Sequence, residues 1–326
     1  PVAPKRVERA RFGSKGRVAL EGRYFFYPDD DNYTNDFGLA LSGRVQFNWR
    51  TRAWRFKLGA FGRAAALDKS RSILLPEDAF VAFRSKWIRL RLGTQVLNWS
   101  ATEAFHPADI INSRNLDSDV ESSEKIGEPM LSLNLRLWSG ARLEGYYMPL
   151  RMAPRLPGTG SRLSFSPERV SVEPIFSDLP LTIGEALWVG RGGEIEEGLV
   201  SHQWGARLTQ TIGGADLSLQ VVQHNDRVQP SIVLSEGGLP DDAQEGPLEV
   251  QPLYHFVTHA GLTYTHVIED WVIKFEGAYR HFHDLRPESA GLMPFLPATT
   301  PDHLQVALGL EYGWVYDNDH EATLIL

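Results

Sequence analysis

The sequence predicts an all-β fold, an antiparallel transmembrane β-barrel. Three observations predict it: short segments that alternate apolar and polar residues, connections that alternate between short and long, and an apolar parity without charge. The chain has 326 residues, 42% of them hydrophobic, totals that a soluble protein shares. No apolar run approaches the ~18 residues a membrane helix needs, so helical spans are excluded and strands are not. Barrel strands carry apolar residues at every second position, and bulk hydropathy averages that signal away.

The alternation is plainest in segment 37–50. Phe37, Leu39, Leu41, Val45, Phe47 and Trp49 fall on one face, and Ser42, Arg44, Gln46, Asn48 and Arg50 on the other. Segment 54–63 sets Trp54, Phe56, Leu58 and Ala60 against Arg55, Lys57 and Arg63. Segments 88–97, 131–137 and 304–314 repeat the pattern. This reading gives strands near 16–27, 36–50, 53–67, 77–85, 87–99, 129–138, 141–150, 203–212, 215–224, 252–267, 271–283 and 303–316. A thirteenth begins near 321. An antiparallel bacterial barrel closes with an even number of strands, so about fourteen or more are expected in the complete wall. Residues 1–326 read as one barrel domain, expected to be incomplete at the C-terminus.

The connections after every second strand are tight: Thr51-Arg52, Ser85-Lys86, Ser139-Gly140, Gly213-Gly214, Glu269-Asp270 and residues 316–320. The others are longer, and three are very long, near 100–128, 151–202 and 225–251. Short periplasmic turns and long external loops produce this alternation in an outer-membrane barrel, and they place the N-terminus in the periplasm. A soluble sandwich has no reason to sort its loops by parity.

Trp49, Trp54, Trp271 and Trp314 stand at the short-turn ends and predict an aromatic girdle, with Trp87 and Trp138 at the same level on the polar parity. Tyr24, Phe26, Phe37, Tyr147, Tyr254, Phe256 and Tyr279 predict a second band at the long-loop ends. Strand interiors carry no Lys, Arg, Asp or Glu on the apolar parity, where a cation at mid-depth costs ~2–4 kcal/mol.

The opposite parity is basic although the chain has a net charge of −8. It offers Arg17, Arg23, Arg44, Arg50, Arg55, Lys57, Arg63, Arg84, Arg89, Arg91, Arg136, Arg142, Arg207, Lys274 and Arg280. Against them stand Glu21, Asp78, Glu144, Asp216, Glu276 and Glu311. Two readings follow. Arginine rings in a low-dielectric wall favour anions; alternatively, the arginines pair with these carboxylates and with infolded loops and stabilise the wall. Loops 100–128 and 151–202 are too long to be mere connections, and one or both are candidates to fold into the lumen as a constriction, the first through Asp109, Asp117, Asp119, Glu121 and Glu124, unless they are solvated surface loops.

Other chemistries find little support. Without cysteine there is no thiolate nucleophile or thiolate metal site. His281-x-His283 shares a face, yet no further ligand is placed beside it, so no metal is expected. No nucleophile elbow, phosphate loop or metalloprotease helix appears, and neither catalytic residues nor a cofactor are expected. An acidic chain without an external basic stripe does not predict nucleic-acid binding.

Segment 91–112, RLGTQVLNWSATEAFHPADIIN, resembles a strand and loop of large proteobacterial outer-membrane barrels of poorly known function. Arg91, Gly93, Gln95 and Trp99 match the strand part, and Pro107, Asp109 and Asn112 the loop part. Ser100 stands where glycine is usual, and Ser113 where proline is usual. Residues 143–149 are similar to the next strand of that group. More loosely, the arginine-rich parity with its Gly-x-Gln strand resembles alginate-export porins. The resemblance implies a monomeric wide barrel in a Gram-negative outer membrane, with transport as its default role.

The expectation is therefore a channel or exporter for anionic solutes or an acidic polymer, set among outer-membrane lipid and lipopolysaccharide. A non-conducting scaffold that anchors an envelope protein partner stands beside it. A barrel hydrolase, which would need a Ser–His pair, is third.

Overall fold

The computed structural model describes residues 10–26, 37–67, 69–117, 124–158, 169–172, 176–196, 198–228, 230–234, 248–283, 301–315 and 321–325. The first strands are β1 (Arg11–Tyr24), β2 (Phe37–Arg50), β3 (Trp54–Ala65), β4 (Ile73–Arg84) and β5 (Ile88–Gln95). A small hairpin follows, β6 (Arg114–Asn115) and β7 (Glu124–Lys125), then β8 (Glu128–Arg136) and β9 (Ala141–Leu150). Next come β10 (Arg169–Val172), β11 (Phe176–Ile183), β12 (Leu187–Val189) and β13 (Ile195–Glu196). The chain continues through β14 (Val200–Ile212), β15 (Ala215–Asn225), β16 (Ser231–Leu234) and β17 (Leu248–Tyr254). It ends with β18 (Phe256–Ile268), β19 (Trp271–Phe282), β20 (His303–Val315) and β21 (Glu321–Ile325).

One antiparallel 13-stranded sheet runs β1-β2-β3-β4-β5-β8-β9-β14-β15-β18-β19-β20-β21. Each wall strand pairs with the wall strand before it in sequence, the up-and-down order of an outer-membrane barrel. The side-chain period of two fixes which residues face outward. Leu39, Phe56, Leu90 and Leu308 are all exposed, as are Val45, Leu58, Leu92, Leu133, Leu219 and Val306. A continuous outward apolar surface of this kind suits lipid, whereas a soluble monomer rarely exposes more than a few hundred Å² in one patch. Trp49, Trp54, Trp271 and Trp314 are exposed at the short-turn end of this belt.

Three sequence expectations need correction. Loops 151–202 and 225–251 are not plain loops. They build a second, 6-stranded sheet from β10–β13, β16 and β17, with β17 parallel to both β11 and β12. The strand expected over 252–267 is split. The chain breaks at His255; β17 joins the second sheet and only β18 stays in the wall. Tyr254 and Phe256 therefore leave the expected outer band and are buried. Tyr254 stacks on Trp188 at 5.0 Å, inside the second sheet.

Strand β4 begins at Ile73, earlier than the expected 77, and runs through Pro76, which pairs with Ala60 beside a β-bulge. The register with β3 shifts between Leu58 and Ala60, so Glu77 and Asp78 together oppose Gly59. A bulge is one of the places where a strand tolerates proline. It also turns two consecutive carboxylates toward one face. The connection at 316–320 lies outside the described residues.

Candidate functional site

The described residues between β5 and β8, 96–117 and 124–127, fold against the inner face of the wall, and the residues of the recognised motif hold them there. Gln95, fully buried, donates from Nε2 to the Met130 carbonyl at 3.2 Å and accepts from Ser132 Oγ at 2.8 Å. Asn112 ties the base of the segment. Its Nδ2 donates to the carbonyls of Gln95 at 2.9 Å and Ile126 at 3.0 Å, and its Oδ1 accepts from Leu97 N at 2.8 Å. Trp99 packs on Tyr146 at 5.3 Å and lies 5.1 Å beneath the Arg207 guanidinium. With Ile110 and Ile111 it forms an apolar cluster on Met130, Met148 and Val222 of the wall. Such burial is worth roughly 1.5–3 kcal/mol per large side chain, which offsets part of the entropy of ordering the segment.

Three strands of the β14–β21 half grip its tip. The Glu276 carboxylate on β19, fully buried, accepts from Thr102 N at 2.8 Å, Thr102 Oγ1 at 2.9 Å, Ala108 N at 3.3 Å and the amide of Ala101. Gln220 Nε2 on β15 donates to the Ala108 carbonyl at 2.5 Å. His259 Nε2 on β18 lies 3.2 Å from the Pro107 carbonyl, which accepts its hydrogen. Lys274 bonds Glu103 of the segment and Glu311 of β20. The segment thus reaches from β5 and β8 to β15, β18 and β19.

Of the acidic constriction candidates, Asp109 turns to its own segment. It pairs with Lys125 at 2.5 Å and Arg114 at 3.4 Å and accepts from Trp99 N at 3.2 Å. Burial holds the Lys125 ammonium below the usual lysine range, against the pull of Asp109. Asp117 lies beside Arg71, a residue of the β3–β4 connection, with the nearest charged atoms 4.0 Å apart. Glu124 lies 3.9 Å from both Arg44 and Arg63 on the wall. Asp119 and Glu121 fall outside the described residues.

Several inner cations pair with carboxylates, most of them toward the long-loop end and mid-wall. Arg44 pairs with Glu77 at 2.7 Å, Lys57 with Asp78 at 2.5 Å, Arg63 with Glu21 at 3.1 Å and Arg280 with Asp226 at 3.7 Å. Near the short turns the arrangement differs. Arg50 faces Arg55, Arg84 faces Arg89 and Arg136 faces Arg142, each pair directly opposite across a hairpin. Among the described residues none of these six lies within ion-pair distance of a carboxylate. Arg55 bonds the Asn48 amide oxygen at 2.7 Å, and Arg91, the next inner residue after Arg89, lies 5.5 Å over the Phe80 ring. Glu144, bonded by Asn134 at 2.6 Å, is the carboxylate that shares the field of Arg89 with Arg91, Arg84 and Arg142. Like charges directly opposite in a ladder destabilise it, so three such pairs in consecutive short-turn hairpins are not explained by wall stability.

Sequence reasoning missed the roles of Gln220 and His259. Their signal was a run of polar inner-parity residues in adjacent strands. Ser231 Oγ does lie 3.0 Å from His255 Nε2, but the pair is buried in the second sheet and its junction with the wall. Among the described residues no group of three metal-ligating side chains is gathered.

No functionally curated protein matches the sequence. Among solved structures, the chain is similar to the outer-membrane channel DcaP of Acinetobacter baumannii, at 13% identity and TM-score 0.44, over 97% of this chain and 77% of that one. It is similar to Pseudomonas aeruginosa OpdK with vanillate at 8% identity and TM-score 0.42, over 93% of this chain and 62% of that one. Pseudomonas aeruginosa OccK9 (OpdG) shows 13% identity and TM-score 0.42, over 94% and 64%. The chain therefore spans less than two thirds of the length of these two Pseudomonas proteins. A family profile covers residues 26–326, and the chain belongs to that family, described as protein of unknown function (DUF1302).

Proposed function

We propose that the chain forms the wall of a Gram-negative outer-membrane channel that passes anionic solutes, with its short turns in the periplasm and the 96–127 segment as its constriction. The observation that carries this reading is the set of facing arginines, Arg50–Arg55, Arg84–Arg89 and Arg136–Arg142, on the inner face, with no carboxylate within ion-pair distance among the described residues. Their repulsion costs wall stability, and an anion that enters between them offsets it. A low-dielectric wall focuses their field on the water beside them. The exposed apolar belt supports the membrane setting.

Planar-bilayer recording across a salt gradient tests this. The wild-type protein shifts the reversal potential toward the anion, and the triple variant Arg55→Gln, Arg89→Gln, Arg142→Gln brings it close to that of a non-selective pore. Cation preference in the wild type, or unchanged selectivity in the variant, defeats the proposal.

A second reading, a non-conducting scaffold, draws on the bonds from Glu276, Gln220 and His259 that bring the infolded segment to the opposite side of the wall. Absence of conductance together with a stoichiometric envelope partner after purification would favour it.

A further inference from the structure

A cavity of about 380 Å³ opens on the outer face at the long-loop end of β14, lined by Arg191, Glu196, Val200, His202, Trp204 and Phe256. Val200, His202 and Trp204 are exposed; His202 and Trp204 share the outward parity of Leu208 and Ile212, and Val200 lies beyond a register shift at 200–203. The cavity thus lies where the apolar belt gives way to the second sheet, which supplies Arg191 from the β12–β13 turn.

Its polar groups are arranged for an anion. The Arg191 guanidinium is held 5.5 Å over the Phe256 ring. Among the described residues it has no carboxylate within ion-pair distance. Glu196, the acid in the lining, is already bonded by Arg151. His202 Nδ1 lies 2.7 Å from the Tyr147 hydroxyl, and the two rings stack at 6.0 Å. When that hydroxyl donates, the hydrogen of the imidazole resides on Nε2, which has no partner among the described residues. A fixed planar guanidinium and a ring N–H suit phosphate oxygens. Around them the surface is apolar: Leu199 is 65% exposed and Val200 68%. Trp204, opposite Tyr147 in the ladder, completes an aromatic pair of the kind found at headgroup depth.

We propose that this cavity binds the phosphorylated headgroup of an anionic lipid in the leaflet on the long-loop side, with its acyl chains along Val200, Trp204 and Leu208. A free phosphate would use only Arg191 and His202, whereas a lipid also covers the apolar flank. The inference rests on the membrane reading of the outer face, not on conduction.

Native mass spectrometry of the full chain in detergent tests it, with bis-phosphorylated lipid A, the same lipid without its phosphates, and inorganic phosphate as probes. The phosphorylated lipid is retained in preference to the dephosphorylated one. Arg191→Gln lowers that preference about 5-fold, the worth of ~1 kcal/mol for one cation beside anionic lipid. His202→Gln lowers it further, Arg191→Lys restores part of it, and excess inorganic phosphate does not displace the lipid. Unchanged heat-modifiable mobility on gels certifies that each variant is folded. Equal retention of the two lipids, or an Arg191→Gln variant like wild type, overturns the site. Displacement by phosphate overturns the lipid assignment and leaves a simple anion site. A protein that stays monodisperse without detergent overturns the membrane reading beneath it.

Discussion

Arg227 and Glu128 form an ion pair of 2.8 Å in which both side chains are almost wholly buried, joining the segment after β15 to the first residue of β8. Arg227 Nη1 also lies 2.9 Å from His224 Nδ1. Removing one member of such a pair strands a charge in low dielectric, which typically costs ~3–5 kcal/mol. Glu128→Ala is expected to lose that much, and Glu128→Leu with Arg227→Met together much less than the two single changes summed. A double-mutant cycle on urea unfolding in detergent or lipid measures it. Additive losses would mean that the two residues act separately.

The facing arginines make an opposite prediction for stability. Replacing Arg89 by Gln removes a like charge directly across from Arg84. The wall should gain roughly 0.2–1 kcal/mol, while anion preference in bilayers falls. A variant that loses both stability and selectivity would show that Arg89 has a structural partner after all.

Gly93 sits at φ 125° against β4. A Cβ there would run into the Ala79 carbonyl oxygen and stand 2.9 Å from the Phe80 Cα. Gly93→Ala should cost about 1–3 kcal/mol for the backbone conformation alone, with the collision added. The heat-modifiable shift on gels should then occur at a lower temperature. An unshifted midpoint would show that the β4–β5 ladder relaxes freely.

Glu276 is expected to be the latch of the infolded segment. Each bond to its charge is worth ~1.5–3 kcal/mol, so Glu276→Ala should free residues 101–108. The expected signs are larger, noisier single-channel currents and faster tryptic cleavage after Arg114 and Lys125. Lys125 is now half-buried by its salt bridge with Asp109. Currents and cleavage like those of wild type would mean that the apolar cluster around Trp99 suffices by itself.

Asp302 closes the long-loop end of the β19–β20 pair. It accepts from His281 Nδ1 at 2.7 Å, Tyr279 Oη at 2.9 Å and Phe282 N at 2.9 Å. The His281 hydrogen bond, with help from the Phe282 amide, holds its carboxyl at about 2, below the ordinary 3.8. A depressed carboxyl stabilises the native state above its unfolded value and loses that contribution as pH falls through the folded one. The margin of wild type over Asp302→Asn should therefore be full near pH 5 and shrink between pH 4 and 2. A margin that is constant over this range would contradict the assignment. The effect is small, because the group is close to water.

The wall was legible in the sequence because the direction of a strand side chain is a local property, reversed at every residue. Leu39, Phe56, Leu90 and Leu308 needed no partner to be read as one face, and tight turns such as Ser85-Lys86 marked the strand ends. The facing arginines follow from the same logic once a short turn sets the register. Loops 151–202 and 225–251 were opaque because the parallel pairing of β17 with β11 and β12 joins segments far apart in sequence, without a local period. The fate of segment 96–127 was opaque for a related reason. Its anchor, Glu276, lies 174 residues from Thr102. The pairing of Arg44 and Lys57 was decided by a bulge opposite Gly59, which aims Glu77 and Asp78 at them; among the described residues no carboxylate lies within ion-pair distance of the arginine pairs beside the short turns. Local periodicity determines which face a residue joins; only long-range closure, where loop entropy is met by buried bonds, determines what that face touches.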